Sequence, residues 1–180
     1  MTCIVGLRSH GRVYLASDSA GVGGLNLVVR ADAKVFRNGE FLIGFTSSFR
    51  MGQILAYLFT PPPLSDDEDM MMYMVRDFVR AARGAMKDAG FLSKRDDVES
   101  GGTFLVAHRR GLFRICDDFQ VAISTHDFDA IGCGADYALG SLHSTSSLLA
   151  SPEARIRSAL DAAESFSAGV RGPFSCMSLP

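Results

Sequence analysis

The sequence predicts an α+β fold: a four-layer αββα sandwich in which two antiparallel sheets face each other and a pair of helices covers each from outside. Three observations predict it. Short runs of β-branched and aliphatic residues come in blocks, with turn residues at hairpin spacing between them. Segments of helical periodicity come in pairs between those blocks. The resulting order, strands, two helices, strands, two helices, strand, packs naturally as facing sheets with helices outside.

The elements follow in order. Residues 2–7 and 12–17 read as an antiparallel hairpin around Ser9-His10-Gly11. Residues 33–37 and 40–45 repeat it around Asn38-Gly39, the strongest short hairpin signal in the chain. Four strands are thus expected before any helix. Between the two hairpins, residues 19–24 read as a glycine-rich loop without the spacing of a phosphate-binding fingerprint. Residues 48–59 carry Met51, Ile54, Leu55 and Leu58 on one helical face, and Pro61-Pro62-Pro63 stops the helix. Ser65-Asp66-Asp67-Glu68 supplies the cap and acidic first turn of a helix reaching about residue 89, with its early methionines filling a helix-on-sheet gap. Residues 93–100 read as a polar loop. Residues 103–108 and 112–115 form a further hairpin across Arg109-Arg110-Gly111, where both arginines are expected in solvent. A strand at 128–131 leads into Gly132-Cys133-Gly134, helices at 135–149 and 152–166, and a last strand at 174–179.

A chain of 180 residues is one domain of ordinary size (1–180), able to bury its own core. The formal charge of −2 leaves no electrostatic footprint for nucleic acid. Cys3, Cys116, Cys133 and Cys176 are widely spaced, with no CxxC and no histidine at ligand spacing, so they read as reduced thiols rather than a zinc site or a disulfide framework. No apolar run approaches the roughly 18–20 residues of a membrane span, and the charged start of a secretory signal is missing. A cytoplasmic protein is expected. At 47% hydrophobic residues the chain has apolar surface to hide, and subunit association is the simplest outlet.

The chemistry points to the start of the chain. Removal of Met1 would leave Thr2 with a hydroxyl and a free α-amine on one residue. A hydroxyl is a weak nucleophile until a neighbouring base takes its proton, and a terminal amine titrates at about 7.7–8.0. Thr2 is therefore the candidate nucleophile.

Several stretches together resemble a known family. They are Thr2-Cys3-Ile4-Val5, Ala16-Ser17-Asp18-Ser19, Lys34-Val35-Phe36, Gly44-Phe45-Thr46-Ser47-Ser48 and Ala130-Ile131-Gly132-Cys133-Gly134. In these the chain resembles proteasome β-subunits and the bacterial HslV-type peptidase, which are N-terminal nucleophile hydrolases. The likeness spans nearly the whole chain, and the spacing Thr2, Asp18, Lys34 agrees with the family without a gap.

The resemblance implies a threonine peptidase with Thr2 as nucleophile and Asp18 and Lys34 beside it. A lysine cation near the terminal amine would lower the amine's pKa and keep it able to accept the threonine proton. Asp18 would orient Lys34, since an unpaired buried charge is costly; an ordinary salt bridge near a strand end is the alternative. The family's oxyanion N–H falls on Ser47, or on Ser48 with a shift of register, where glycine is usual. Its helper serine falls on Cys133, whose thiol is a weaker hydrogen-bond partner. Its Asp-x-x-Ser motif best matches Glu164 to Ser167, with a solvated helix face as the other reading of Glu164. In HslV-type relatives the carbonyls of this turn, here Glu164, Ser167 and Val170, can hold a monovalent cation, so that ion is optional and no cofactor is required. Gly21 and Val22 fall where substrate backbone is bound, and Phe45 falls on the floor of the specificity pocket or in the core.

The resemblance also implies peptide or unfolded-protein substrates and stacked double rings of six or seven subunits. An AAA+ ATPase ring is a possible partner, since the chain has no nucleotide-binding motif of its own. Two other readings stand beside the peptidase. One is an N-terminal nucleophile hydrolase acting on a small amide. The other is a ring-forming homologue of weak or no activity, favoured by the departures at Ser47, Cys133 and Glu164.

Overall fold

The computed structural model describes residues 1–148 and 150–180, Arg95 by its backbone only. Its layers follow from where each strand sends alternate side chains. In β1 (Ile4–Ser9) and β2 (Arg12–Ser17), Ile4, Val13 and Leu15 point one way, and Val5, Leu7, Tyr14 and Ala16 the other. Both sides are buried, because the first set meets a second sheet and the second set meets helices.

The first sheet runs β12-β1-β2-β13, with β12 at Phe128–Ile131 and β13 at Ser175–Leu179. The second runs β11-β10-β9-β6-β5, built from β5 (Val35–Asn38), β6 (Phe41–Phe45), β9 (Phe104–His108), β10 (Gly111–Ile115) and β11 (Val121–Ala122). The pairings are antiparallel throughout. Between the sheets lies a core of Ile4, Leu15, Val35, Leu42, Leu105, Leu112 and Ile131. Outside the first sheet, α4 (Ala135–Ser144) and α5 (Pro152–Phe166) enclose Cys3, Val5, Leu142, Leu160 and Val170. Outside the second, α1 (Phe49–Tyr57), α2 (Met70–Tyr73), a π-helical turn (Met74–Phe78) and α3 (Val79–Asp88) cover Ile43, Phe45, Phe104 and Val106. Three apolar cores separate four layers, so the expected αββα sandwich is the fold.

Several local expectations are corrected. The glycine-rich stretch forms a protruding hairpin, β3 (Ala20–Gly23) and β4 (Asn26–Val29), closed through Gly24 at φ +59°, so six strands precede the first helix. Residues 93–100 form a second small hairpin, β7 (Ser93–Arg95) and β8 (Val98–Ser100), turning on Asp96 and Asp97, both at positive φ. Polar sequence hid both pairs, because their strands bury too little to show a period. The second helix starts at Met70, where Asp69 rather than Ser65 caps it by accepting from the Met72 N–H at 2.7 Å. Met70 and Met74 fill the core while Met71 and Met72 stay partly exposed. Arg109 stays exposed, as expected, while pairing with Asp66 at the surface, and the half-buried Arg110 donates to the carbonyls of Ser65 and Glu68. The fourth helix stops at Ser144, and its expected end at Leu149 lies outside the described residues. No helix among the described residues is long and apolar enough to cross a membrane.

Candidate active site

The β1–β2 register sets Ile4 opposite Ser17, which brings the residues just before β1 and just after β2 together at one end of the sheet. Asp18 therefore meets the backbone of Cys3: its N–H donates to the Cys3 carbonyl at 3.2 Å, and its Oδ1 accepts from the Cys3 N–H at 2.9 Å. Lys34 stands immediately before β5 in the facing sheet and reaches across the gap. Its Nζ donates to Asp18 Oδ1 at 2.8 Å and to Thr2 Oγ1 at 3.0 Å. Thr2 Oγ1 in turn donates to the Met1 carbonyl. Thr2, Asp18 and Lys34 are thus one hydrogen-bonded cluster, assembled from two sheets.

The cluster is dry, with the side chains of Lys34 and Asp18 1% and 0% exposed. A buried charge needs its lone pairs and protons satisfied. Asp18 meets that need with four donors: the Cys3 N–H and Lys34 Nζ on one oxygen, and the N–H groups of Ala20 (2.9 Å) and Arg171 (3.3 Å) on the other. Burial pulls the Lys34 pKa below its usual 10.5, while the Asp18 hydrogen bond and charge pull it back. The neighbouring Cys3 thiol is pushed up to about 12, first by burial and then by the Asp18 carboxylate. It stays a neutral, packed thiol.

Cys133 lies on the other side of Thr2. Its Sγ accepts from the Thr2 N–H at 3.3 Å and from Ser167 Oγ at 3.3 Å, and donates to the Thr2 carbonyl at 3.5 Å. Gly132 makes this approach possible. At φ +98°, a Cβ there would overlap the Thr2 carbonyl. Glu164 does not reach the cluster. Its Oε1 accepts from the Gly172 N–H at 3.0 Å, with Arg171 Nη1 at 3.8 Å, so it braces the turn whose Arg171 N–H binds Asp18. That turn is further tied by the Val170 N–H donating to the Ser167 carbonyl at 3.1 Å, and Val170 itself is buried against α4 and α5. No group of three or more His, Cys, Asp and Glu side chains able to hold a metal occurs among the described residues.

The strand end at β6 supplies a backbone donor. The Thr46 N–H is engaged by the Thr103 carbonyl at 3.1 Å and the Ser48 N–H by the Thr46 carbonyl at 2.8 Å. Among the described residues no hydrogen bond engages the Ser47 N–H between them. Ser47 sits at φ +70°, the left-handed region that favours glycine, and its Oγ accepts from the Thr103 N–H at 3.3 Å, which holds it there. A cleft of about 70 Å³ runs from Thr2 past Val22 and Phe45 to Ser47 and Phe49. Val22 lines it from the β3–β4 hairpin. Gly21 does not line it and packs against the Arg30 side chain instead.

Three contributors had no clear signal in the sequence. The N–H groups of Ala20 and Arg171 bind Asp18 through the backbone, so residue type is silent about them. Gly132 was legible only as part of a motif, since its need for a missing Cβ arises from Thr2, 130 positions away in the chain.

A sandwich of this layering is the N-terminal nucleophile hydrolase fold. The structures it resembles are HslV/proteasome-type and Anbu proteins. Thiobacillus denitrificans BPH superposes with a TM-score of 0.82 at 26% identity, over 98% of this chain and 97% of that one. The same protein in complex with epoxomicin gives 0.82 at 25%, with the same coverage. Eukaryotic HslV from Trypanosoma brucei gives 0.72 at 18% over 98% of both chains, and Anbu from Yersinia bercovieri 0.68 at 16% over 99% and 81%. No protein-family model matches the chain, and no curated protein matches it in sequence.

Proposed function

We propose that the protein is a threonine peptidase whose nucleophile is Thr2, exposed by loss of Met1. The observation that carries the reading is the position of Thr2 Oγ1, 3.0 Å from a lysine Nζ that is itself paired with a buried carboxylate. With Met1 gone, the Thr2 nitrogen becomes an amine and accepts the proton of Oγ as that oxygen attacks a peptide carbonyl. The nearby Lys34 charge disfavours a second cation, so the amine stays neutral at working pH. The Ser47 N–H stabilises the oxyanion. The amine then returns the proton to the leaving nitrogen, and water attacks the acyl ester, with the amine as base again. Cys133 and Ser167 orient the amine through the sulfur that already accepts from the Thr2 nitrogen. Glu164 acts one step out, by fixing the turn that holds Asp18.

Assembly into a stacked double ring of six or seven subunits, peptide or unfolded-protein substrates, an AAA+ ATPase partner and a cytoplasmic setting complete the proposal. The HslV/proteasome-type neighbours support the ring, and the partner and setting rest on the resemblance. A monovalent cation on the Glu164, Ser167 and Val170 carbonyls would stiffen the same turn and takes no part in the steps above.

Epoxomicin, found on Thiobacillus denitrificans BPH, supplies the test. Intact mass after treatment with a peptide epoxyketone should show one added inhibitor per chain lacking Met1, and none on Thr2→Ala, because the cyclic adduct needs hydroxyl and free amine on one residue. Methionine retained in protein that hydrolyses peptides would end the mechanism.

A further inference from the structure

We infer that the Ser47 side chain is a positioning group: its hydroxyl locks the turn that presents the Ser47 N–H, so that Ser47→Gly lowers turnover. This role rests on the peptidase reading and falls to a side chain that the steps above do not use.

The turn is tight. The Ser48 N–H donates to the Thr46 carbonyl at 2.8 Å across Ser47, whose φ is +70°. A three-residue turn closed by such a bond around a positive φ is the rare, strained form of the γ-turn. The carbonyl that closes it belongs to the same peptide unit as the Ser47 N–H, so closing the turn also aims that N–H. Glycine, the usual residue of the resembled family here, adopts positive φ at little steric cost. Serine stores strain at this point, and such strain persists only where surrounding contacts over-determine it.

Those contacts come from both sides. Thr103 grips the turn twice: its carbonyl accepts from the Thr46 N–H at 3.1 Å, and its N–H donates to Ser47 Oγ at 3.3 Å. Gly101 anchors this segment from behind, its N–H donating to the Asp117 carbonyl at 2.9 Å. Gly102 permits the close approach, since a Cβ there would come within 2.8 Å of Met51 Sδ and 3.2 Å of Ser47 Cβ. On the other side Ser48 is held as the cap of α1, its Oγ accepting from the Arg50 N–H at 3.1 Å. Of these bonds, only the one to Ser47 Oγ depends on the residue type at position 47. Without it the turn keeps its two ends and loses the grip on its centre, and glycine, with the widest choice of backbone angles, departs from the aimed geometry most readily.

The test compares wild type, Ser47→Gly and Ser47→Asn on a panel of fluorogenic peptides, with protein whose loss of Met1 is verified by mass. Deleting an oxyanion donor costs on the order of 10²–10³ in kcat and loosening one costs less, so Ser47→Gly should lower kcat by at least about threefold with KM changed by less than about twofold. Its urea midpoint should not fall, because the positive φ is relieved and the lost hydrogen bond sits at an exposed residue. A hydroxyl with a merely structural role would move turnover and midpoint down together. Ser47→Asn keeps an acceptor on a side chain that tolerates positive φ and should turn over faster than Ser47→Gly. A smaller fall in kcat for Ser47→Gly, a fall matched by a lowered midpoint, or Ser47→Asn no faster than Ser47→Gly overturns the role of the hydroxyl. Wild type that cleaves none of the panel, with Thr2 exposed, defeats the peptidase reading itself, and the role of the hydroxyl falls with it.

Discussion

Lys34→Met keeps the length and apolar stem of the side chain and deletes its charge. Asp18 is then a carboxylate in a dry site with three backbone N–H donors and no counter-charge. Removing one partner of a buried ion pair costs about 3–5 kcal/mol. The three remaining donors hold the loss near the lower end, about 3 kcal/mol. For a chain of this size a urea slope of about 2 kcal/mol per molar turns that into a midpoint lowered by about 1.5 M. Adding Asp18→Asn removes the stranded charge while keeping an acceptor oxygen, so the double variant should regain at least about half of the loss. Urea unfolding followed by circular dichroism measures both. Peptide hydrolysis should stay down by on the order of 10²–10³ in each, since both lack the cation at Thr2. A midpoint shift below about 0.3 M in Lys34→Met would show that water reaches Asp18, and the account of a buried, mutually dependent pair would then be wrong.

Because burial lowers the Lys34 pKa from 10.5, the folded chain gives up that proton at a lower pH than the unfolded chain. Between the two values the unfolded state binds more protons, so Lys34's contribution to stability rises with pH there, whereas activity, which needs the ammonium form, falls. The alkaline limb of the pH–rate profile should thus begin below 10.5 and move out of range in Lys34→Arg; a limb above 10.5 in wild type counts against the assignment. Gly132→Ala should lose about 2–3 kcal/mol by thermal unfolding and all measurable hydrolysis, because the new methyl displaces the Thr2 backbone. Cys133→Ser restores a stronger hydrogen-bonding group beside the Thr2 nitrogen and should hydrolyse peptides at least as fast as wild type, while Cys133→Ala should be about tenfold slower; a faster Ala variant would remove Cys133 from the site. Native alkylation at pH 8 should spare Cys3, which is fully buried with its thiol raised to about 12, and peptide mapping would detect any label there.

How much of this was legible varies by element. The hairpins at Ser9–Arg12 and around Gly39 declared themselves because a turn needing positive φ stood between two buried strands. Helix α5 did too, with Pro152 at its first turn. The β3–β4 and β7–β8 hairpins did not, since a strand exposed on its faces has no burial to impose alternation. The site divides similarly. Thr2, Asp18 and Lys34 each sit near a strand boundary, and it was the resemblance to a known family that marked them. Glu164 matched a motif in the sequence, yet its carboxylate serves a neighbouring turn rather than Asp18 or Lys34. A motif match fixes a position along the chain and not the direction in which a side chain leaves it.

By itself, then, the order of residues determined the layering, which depends on local periodicity that a sequence records directly. The identity of Thr2, Asp18 and Lys34 as a group came from the resemblance of their surrounding motifs to a known family. The tertiary structure alone decided that Lys34 crosses from one sheet to reach Asp18 and Thr2 on the other, and that no hydrogen bond among the described residues engages the Ser47 N–H. These depend on the packing distance between two sheets and on which backbone groups are already bonded. Both are settled only when segments remote in sequence compete for the same volume and the same hydrogen bonds.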